Sequence, residues 1–240
     1  MLASARSAPA AVVLAWSGAA AFALSLLFFL YSYVVRFGVR AGAAPLVPSI
    51  AIDIGLFSIF ALHHSLLARP SVKDRMRALV PAPLERSVYT WTSSLLFAGV
   101  CALWQFVPGE LYRLDGAAAW LGYSIQLTGI AITARSSARL DVLDLAGVRQ
   151  VLATREAPAH VPLETRGLYG VVRHPVYLGW ALIVFGTPHM TSTRFVFAAV
   201  STAYLALAIP FEERTLIGVF GEAYRDYRRR VRWRMIPGVY

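Results

Sequence analysis

Apolar stretches long enough to cross a bilayer follow one another through most of this 240-residue chain. A hydrocarbon core of about 30 Å takes about 20 residues of helix, and in lipid the backbone must satisfy its own hydrogen bonds. The runs at Ala10–Val35, Leu46–Ala68, Ser87–Val107, Ala117–Ala134, Leu168–Gly186 and Phe195–Phe211 therefore predict an all-α polytopic membrane bundle. Six spans are expected, or five, with the last two forming a tight hairpin around "TPHMTSTR". At 58% hydrophobic and 15% charged residues, the chain has too little polar surface for a soluble globule of this size. The first run is too long for a signal-peptide core and reads as a retained span. No soluble domain separates from the whole, so residues 1–240 are expected to form one integral-membrane domain, with four spans in 1–134 and the chemistry in 135–240.

Charge placement orients the bundle. The net charge of +10 comes from 22 arginines and one lysine against 13 acids. Cations crowd the segments 69–86, 135–166 and 225–234, which assigns these and both termini to the cytoplasmic side. Arginines in "FGEAYRDYRRRVRW" are interleaved with Phe220, Tyr224, Tyr227 and Val231 at helical spacing. That pattern predicts an amphipathic helix lying on anionic lipid headgroups, and the adjoining membrane spans argue against nucleic acid as the partner. A second interfacial helix is expected in "LDVLDLAGVRQVL", broken by Pro158 and Pro162. Cys101 is the only cysteine, so no internal disulfide can form. Nothing in the sequence points to a protein partner.

Ionisable residues inside or beside spans are costly, which makes them functional candidates. One cluster is "GLYGVVRHPVYLGW", with Tyr169, Arg173, His174, Tyr177 and Gly179. Pro175 suits the first turn of a helix, so Arg173 and His174 should stand at its mouth. Arg173 alone would pass for a snorkelling anchor, but its clustering with a histidine and two tyrosines argues for more. Glu212 and Glu213 end the sixth span and, if the hairpin forms, return to the level of that pair. Adjacent helical residues point about 100 degrees apart, so one glutamate is expected to pair with Arg173 and the other to meet a ligand. In the second span, Asp53, Phe57, Phe60 and His64 share a face. His63 and His64 could ligate haem, whereas bonding of a helix-end histidine to a neighbouring carbonyl is the plainer account. No further histidine stands at metal-ligand spacing, and no G-x-G-x-x-G is present, so neither a metal site nor a Rossmann nucleotide site is expected.

"RHPVYLGW", the paired glutamates of "EERTL" and "FGEAYRDYRRRV" resemble the C-terminal signature of the isoprenylcysteine carboxyl methyltransferase and phospholipid methyltransferase superfamily. Within it, "HSLLARP", "ERSVYTWTSSL", "DLAGVRQV" and "TPHMT" are similar to bacterial methanethiol S-methyltransferase-like proteins. The resemblance implies a membrane enzyme, in a bacterial inner membrane, that binds S-adenosylmethionine without a Rossmann domain. Its cofactor residues would be Tyr169, Arg173, His174, Tyr177, Gly179, Glu212 and Glu213. A thiol acceptor must lose a proton, so His174 or His64 would act as base. A carboxylate acceptor would want a cation, and "YLALAIPF" ahead of the glutamates offers none, which favours a small thiol or another compact lipophilic acceptor. The alternatives are a methyltransferase for an isoprenylcysteine carboxylate or a phospholipid, and an NnrU-like haem-binding membrane protein.

Overall fold

The computed structural model describes residues 9–39, 42–67, 72, 75, 78, 80–138, 142–152 and 163–240. Pro158 and Pro162 lie outside the described residues. The helices are α1 (Pro9–Val34), α2 (Leu46–Leu67), α3 (Glu85–Leu103), α4 (Gly116–Ser137), α5 (Val142–Leu145), α6 (Val148–Leu152), α7 (Pro175–Phe185), α8 (Ser192–Phe220) and α9 (Glu222–Arg230). Two short strands, β1 (Glu110–Arg113) and β2 (His189–Thr191), join them. Among the described residues, α1, α2 and α8 are long and apolar enough to cross a membrane. The chain divides into two compact units.

The first unit holds residues 1–36, 54–104 and 140–160. Its α1 and α3 pack along their length because Gly18 leaves room for the Trp91 indole, which donates to Leu14 O at 3.2 Å. Phe29, Phe60 and Phe97 fill the space beside them, with ring centres 5.7 and 5.3 Å from Phe97. Arg36 caps the end of α3 by donating to Cys101 O at 2.9 Å and Ala102 O at 3.2 Å, which answers two of that helix's orphan carbonyls. The segment expected as one interfacial helix is broken instead into α5 and α6 at Gly147, whose φ of +83° only glycine adopts freely. Val148 and Val151 are buried against Ala15 of α1, so this apolar face is spent on protein and not on lipid.

The second unit holds residues 37–53, 105–139 and 161–240. Here α4 and α7 pack through glycines. A Cβ on Gly179 would stand 2.7 Å from Gly129 O, and one on Gly129 would stand 2.7 Å from Gly179 O. One heptad further on, Gly122 and Gly186 repeat the approach, since a Cβ on Gly122 would meet Gly186 O at 3.0 Å. Small residues are what let helix backbones close up where no hydrophobic effect drives them together.

The expected fifth span is corrected by its length. Residues 167–170 form a 3-10 turn and the helix begins only at Pro175, leaving 11 residues or about 16 Å of helix. That is roughly half of a hydrocarbon core. After it, β2 pairs antiparallel with β1, bringing His189 opposite Arg113 and Thr191 opposite Glu110. An all-helical reading missed this two-stranded clasp, which levels the turn after α7 with the start of α4. Thr191 then caps α8 by accepting from Arg194 N at 3.2 Å. Helix α8 runs on past the expected end at Phe211, with Pro210 inside it, so the glutamates sit within the helix and not at its end. Gly221, at φ +58°, makes the turn into α9.

The aromatic face of α9 is also corrected. Tyr224, Tyr227 and Val231 are buried against Leu163, Leu216, Ile217 and Phe220 of the protein. That face therefore cannot be the one that lies on headgroups.

Candidate functional site

Proline at 175 holds the residue before it out of the helical region, and His174 takes φ −123°, ψ 67°. Val172 N still closes a turn on Leu168 O at 3.1 Å, but the amides of Arg173 and His174 find no acceptor in that turn. The C-terminal segment satisfies them. Arg173 N donates to Trp233 O at 2.9 Å and His174 N to Arg234 O at 2.8 Å, and Val172 and Trp233 form a parallel bridge. The side chain of Arg173 follows the same route, with Nη1 donating to Val231 O at 2.7 Å and Arg232 O at 2.8 Å.

The remaining edge of this guanidinium meets Glu213. Arg173 Nε donates to Glu213 Oε1 at 2.5 Å, and the two side chains are only 5% and 3% exposed. The other oxygen of Glu213 lies 3.6 Å from Arg228 Nε and 3.8 Å from Arg234 Nε. Glu213 therefore gathers three guanidiniums, and its charge is matched rather than merely tolerated.

Glu212, one residue earlier on α8, faces elsewhere. It is 43% exposed and accepts a hydrogen bond from the Tyr177 hydroxyl. His174 sits between the carboxylates, with Nδ1 3.6 Å from Glu212 Oε2 and Nε2 3.6 Å from Glu213 Oε1. Its ring stacks on Tyr177, centres 5.3 Å apart and planes 12° from parallel. His174 Nε2 is buried without a hydrogen-bond partner among the described residues, and so is the Tyr224 hydroxyl. Buried polar atoms in native folds are nearly always bonded, so such orphans mark where a ligand or water belongs.

Around this centre, Tyr227 donates to Tyr169 O at 2.7 Å and closes the 3-10 turn onto α9. Burial, helped by the neighbouring Glu213 carboxylate, pushes the Tyr224 phenol up to about 12. Burial and the adjacent Tyr224 raise Tyr227 as well, and burial followed by Glu164 raises Tyr169. All three stay protonated at neutral pH.

Five of the residues singled out from sequence, Arg173, His174, Tyr177, Glu212 and Glu213, converge here. Tyr169 adjoins them through its carbonyl. Gly179 faces α4, where Thr133 and Gly129 occupy the space a side chain would need, which makes it a packing position. His64 belongs to the first unit, where the Tyr89 hydroxyl lies 2.9 Å from its Nδ1 and 3.3 Å from its Nε2. Arg228, Arg234 and the carbonyls of residues 231–234 were missed by sequence reasoning. The arginine spacing in "RRRVRWR" was the available signal, but it reads equally as a solvated face.

No family model and no solved structure matches the chain. Curated relatives do. Methanethiol S-methyltransferase 2 of Bradyrhizobium diazoefficiens is 37% identical over 218 residues, covering 88% of this chain and 84% of the relative. Methanethiol S-methyltransferase of Crocosphaera subtropica is 39% identical over 189 residues, covering 78% and 74%. The protein of the same name from Mycobacterium tuberculosis is 32% identical over 231 residues, covering 89% and 92%. With helices long and apolar enough to span a bilayer, these relatives define the class as integral-membrane methyltransferases. The chain belongs to the methanethiol S-methyltransferase family.

Proposed function

We propose that the chain transfers a methyl group from S-adenosylmethionine to methanethiol, forming dimethyl sulfide. The acceptor is taken from the names of its relatives. The observation that carries the site is a half-exposed carboxylate, Glu212, beside a buried and unpartnered imidazole nitrogen, His174 Nε2. These groups fit the donor's polar parts, since an ammonium and a ribose diol want a carboxylate acceptor. When bound, S-adenosylmethionine supplies a methyl group activated by its sulfonium.

The chain's own residues divide the remaining work. Glu213 holds Arg173 and so fixes the RHP segment, while Glu212 keeps accepting capacity for a ligand. Tyr177 aims Glu212 through its hydroxyl and holds the imidazole flat through its ring. His174 Nε2 accepts the proton of the acceptor thiol, which leaves the thiolate as nucleophile. The buried tyrosines do not compete as bases, because burial keeps them protonated. This reading assigns the base to His174 rather than His64, whose ring is engaged by Tyr89. Charge around residues 225–234 supports a cytoplasmic position for this end of α8, in the inner membrane of a bacterium. Because α7 is about half a membrane long, the reading also sets Arg173 and His174 below the surface, where a compact apolar thiol partitions readily and water is scarce.

Membranes carrying the chain, given methyl-labelled S-adenosylmethionine and methanethiol, should release labelled dimethyl sulfide. Labelling of a prenylated cysteine instead, or no donor binding at all, overturns the proposal.

A further inference from the structure

Beside the carboxylate pair, Arg173 and residues 225–240 border an open cavity of about 520 Å³ lined by six arginines together with Trp233 and Tyr240. No acid lines it. Three carboxylates reach these guanidiniums from outside: Glu213 toward Arg173, Arg228 and Arg234; Glu222 toward Arg225 and Arg229; Asp226 toward Arg229. Six cationic side chains against three anionic ones leave a side-chain surplus of three positive charges around one space. Arg232 is exposed and has no ion pair among the described residues.

This surplus is not the back of a membrane-inserting helix, because the aromatic face of α9 is buried in the protein. Nor does one carboxylate explain it, since a single negative charge would leave most of the surplus and most of the volume unfilled. A phosphate answers both. It carries up to two charges and three acceptor oxygens, and planar guanidiniums grip it bidentately. We propose that this cavity binds a phosphate group and that Arg232 is its principal uncommitted ligand. The cavity follows directly on α8, a candidate span, and the Trp233 indole beside it is 40% exposed, as suits a ring at the membrane–water interface. Those features favour the terminal phosphomonoester of an anionic lipid headgroup, as in phosphatidic acid, over a soluble phosphate ester.

The test uses the purified full chain in neutral detergent, with bound lipid counted by native mass spectrometry. Phosphatidic acid, phosphatidylcholine and soluble glycerol phosphate are the probes. One phosphatidic acid per chain should be retained in preference to phosphatidylcholine. Arg232→Gln should weaken that retention about tenfold. Arg230→Gln, which removes the same charge from α9 outside the cavity, should leave it within about twofold. Displacement of the lipid by glycerol phosphate at similar concentration would support the site with a soluble ligand as its source. Equal retention of the two lipids without glycerol phosphate binding, or equal loss in both variants, refutes the proposal. Circular dichroism of both variants checks that helix content is kept. None of these readouts depends on methyl transfer, so they stand or fall apart from the proposed activity.

Discussion

Replacing Glu213 by glutamine removes a charge that three guanidiniums share while leaving the shape of the side chain intact. Breaking a buried ion pair by neutralising one partner costs about 3–5 kcal/mol, because the other charge stays behind unpaired. Two features place Glu213→Gln near the lower end. The glutamine carbonyl can still accept from Arg173 Nε, and Arg173 keeps its bonds to Val231 O and Arg232 O. A loss of about 3 kcal/mol, at about 2–4 °C per kcal/mol for a chain of this size, lowers the melting temperature by about 6–12 °C. Glu212→Gln breaks a half-exposed contact and should cost no more than about 1 kcal/mol. Thermal unfolding in detergent, followed by near-ultraviolet circular dichroism, reads both. The functional order should be reversed, with donor affinity falling about tenfold in Glu212→Gln at nearly unchanged stability. A shift below 2 °C for Glu213→Gln, or a larger one for Glu212→Gln, would show that the two glutamates have been given each other's roles.

Gly179→Ala should destabilise the protein by about 1–3 kcal/mol by prying α7 from α4, whereas Gly218→Ala, with open space around it, should be neutral in the same melt. His174→Gln should lower the transfer rate most at neutral pH and recover as pH approaches the thiol's own pKa, because solvent then supplies the thiolate; a pH-independent loss would assign the ring a packing role alone. Tyr224 holds its proton more tightly folded than unfolded, so it favours the folded state fully below about pH 10 and less as pH climbs toward about 12. Tyr224→Phe should therefore flatten the decline of melting temperature over that alkaline window.

Long apolar runs made α1, α2 and α8 readable, because length and hydropathy are what a bilayer demands of a helix. The same criterion failed at residues 168–186, where apolar side chains continue through a 3-10 turn and an extended stretch that only Pro175 hints at. It also concealed β1 and β2, since three- and four-residue strands carry no periodicity to detect. In the site, Arg173, His174, Tyr177 and the two glutamates were legible because ionisable groups beside a span need a reason to be there. Gly179 was legible as a constraint but not as to its cause, for a motif glycine can admit a ligand or a neighbouring helix, and only the approach of Gly129 decides. The tail carbonyls of Trp233 and Arg234 had no sequence signal at all, as any residue supplies a carbonyl.

That last contact sets an order of assembly. The amides of Arg173 and His174 are bonded by carbonyls some sixty positions downstream. While the chain is being threaded into the bilayer, the RHP segment therefore lacks these acceptors until the final stretch has emerged from the ribosome. A polypeptide stopped short of residue 233 would have every long helix it needs and still present an unsecured cleft.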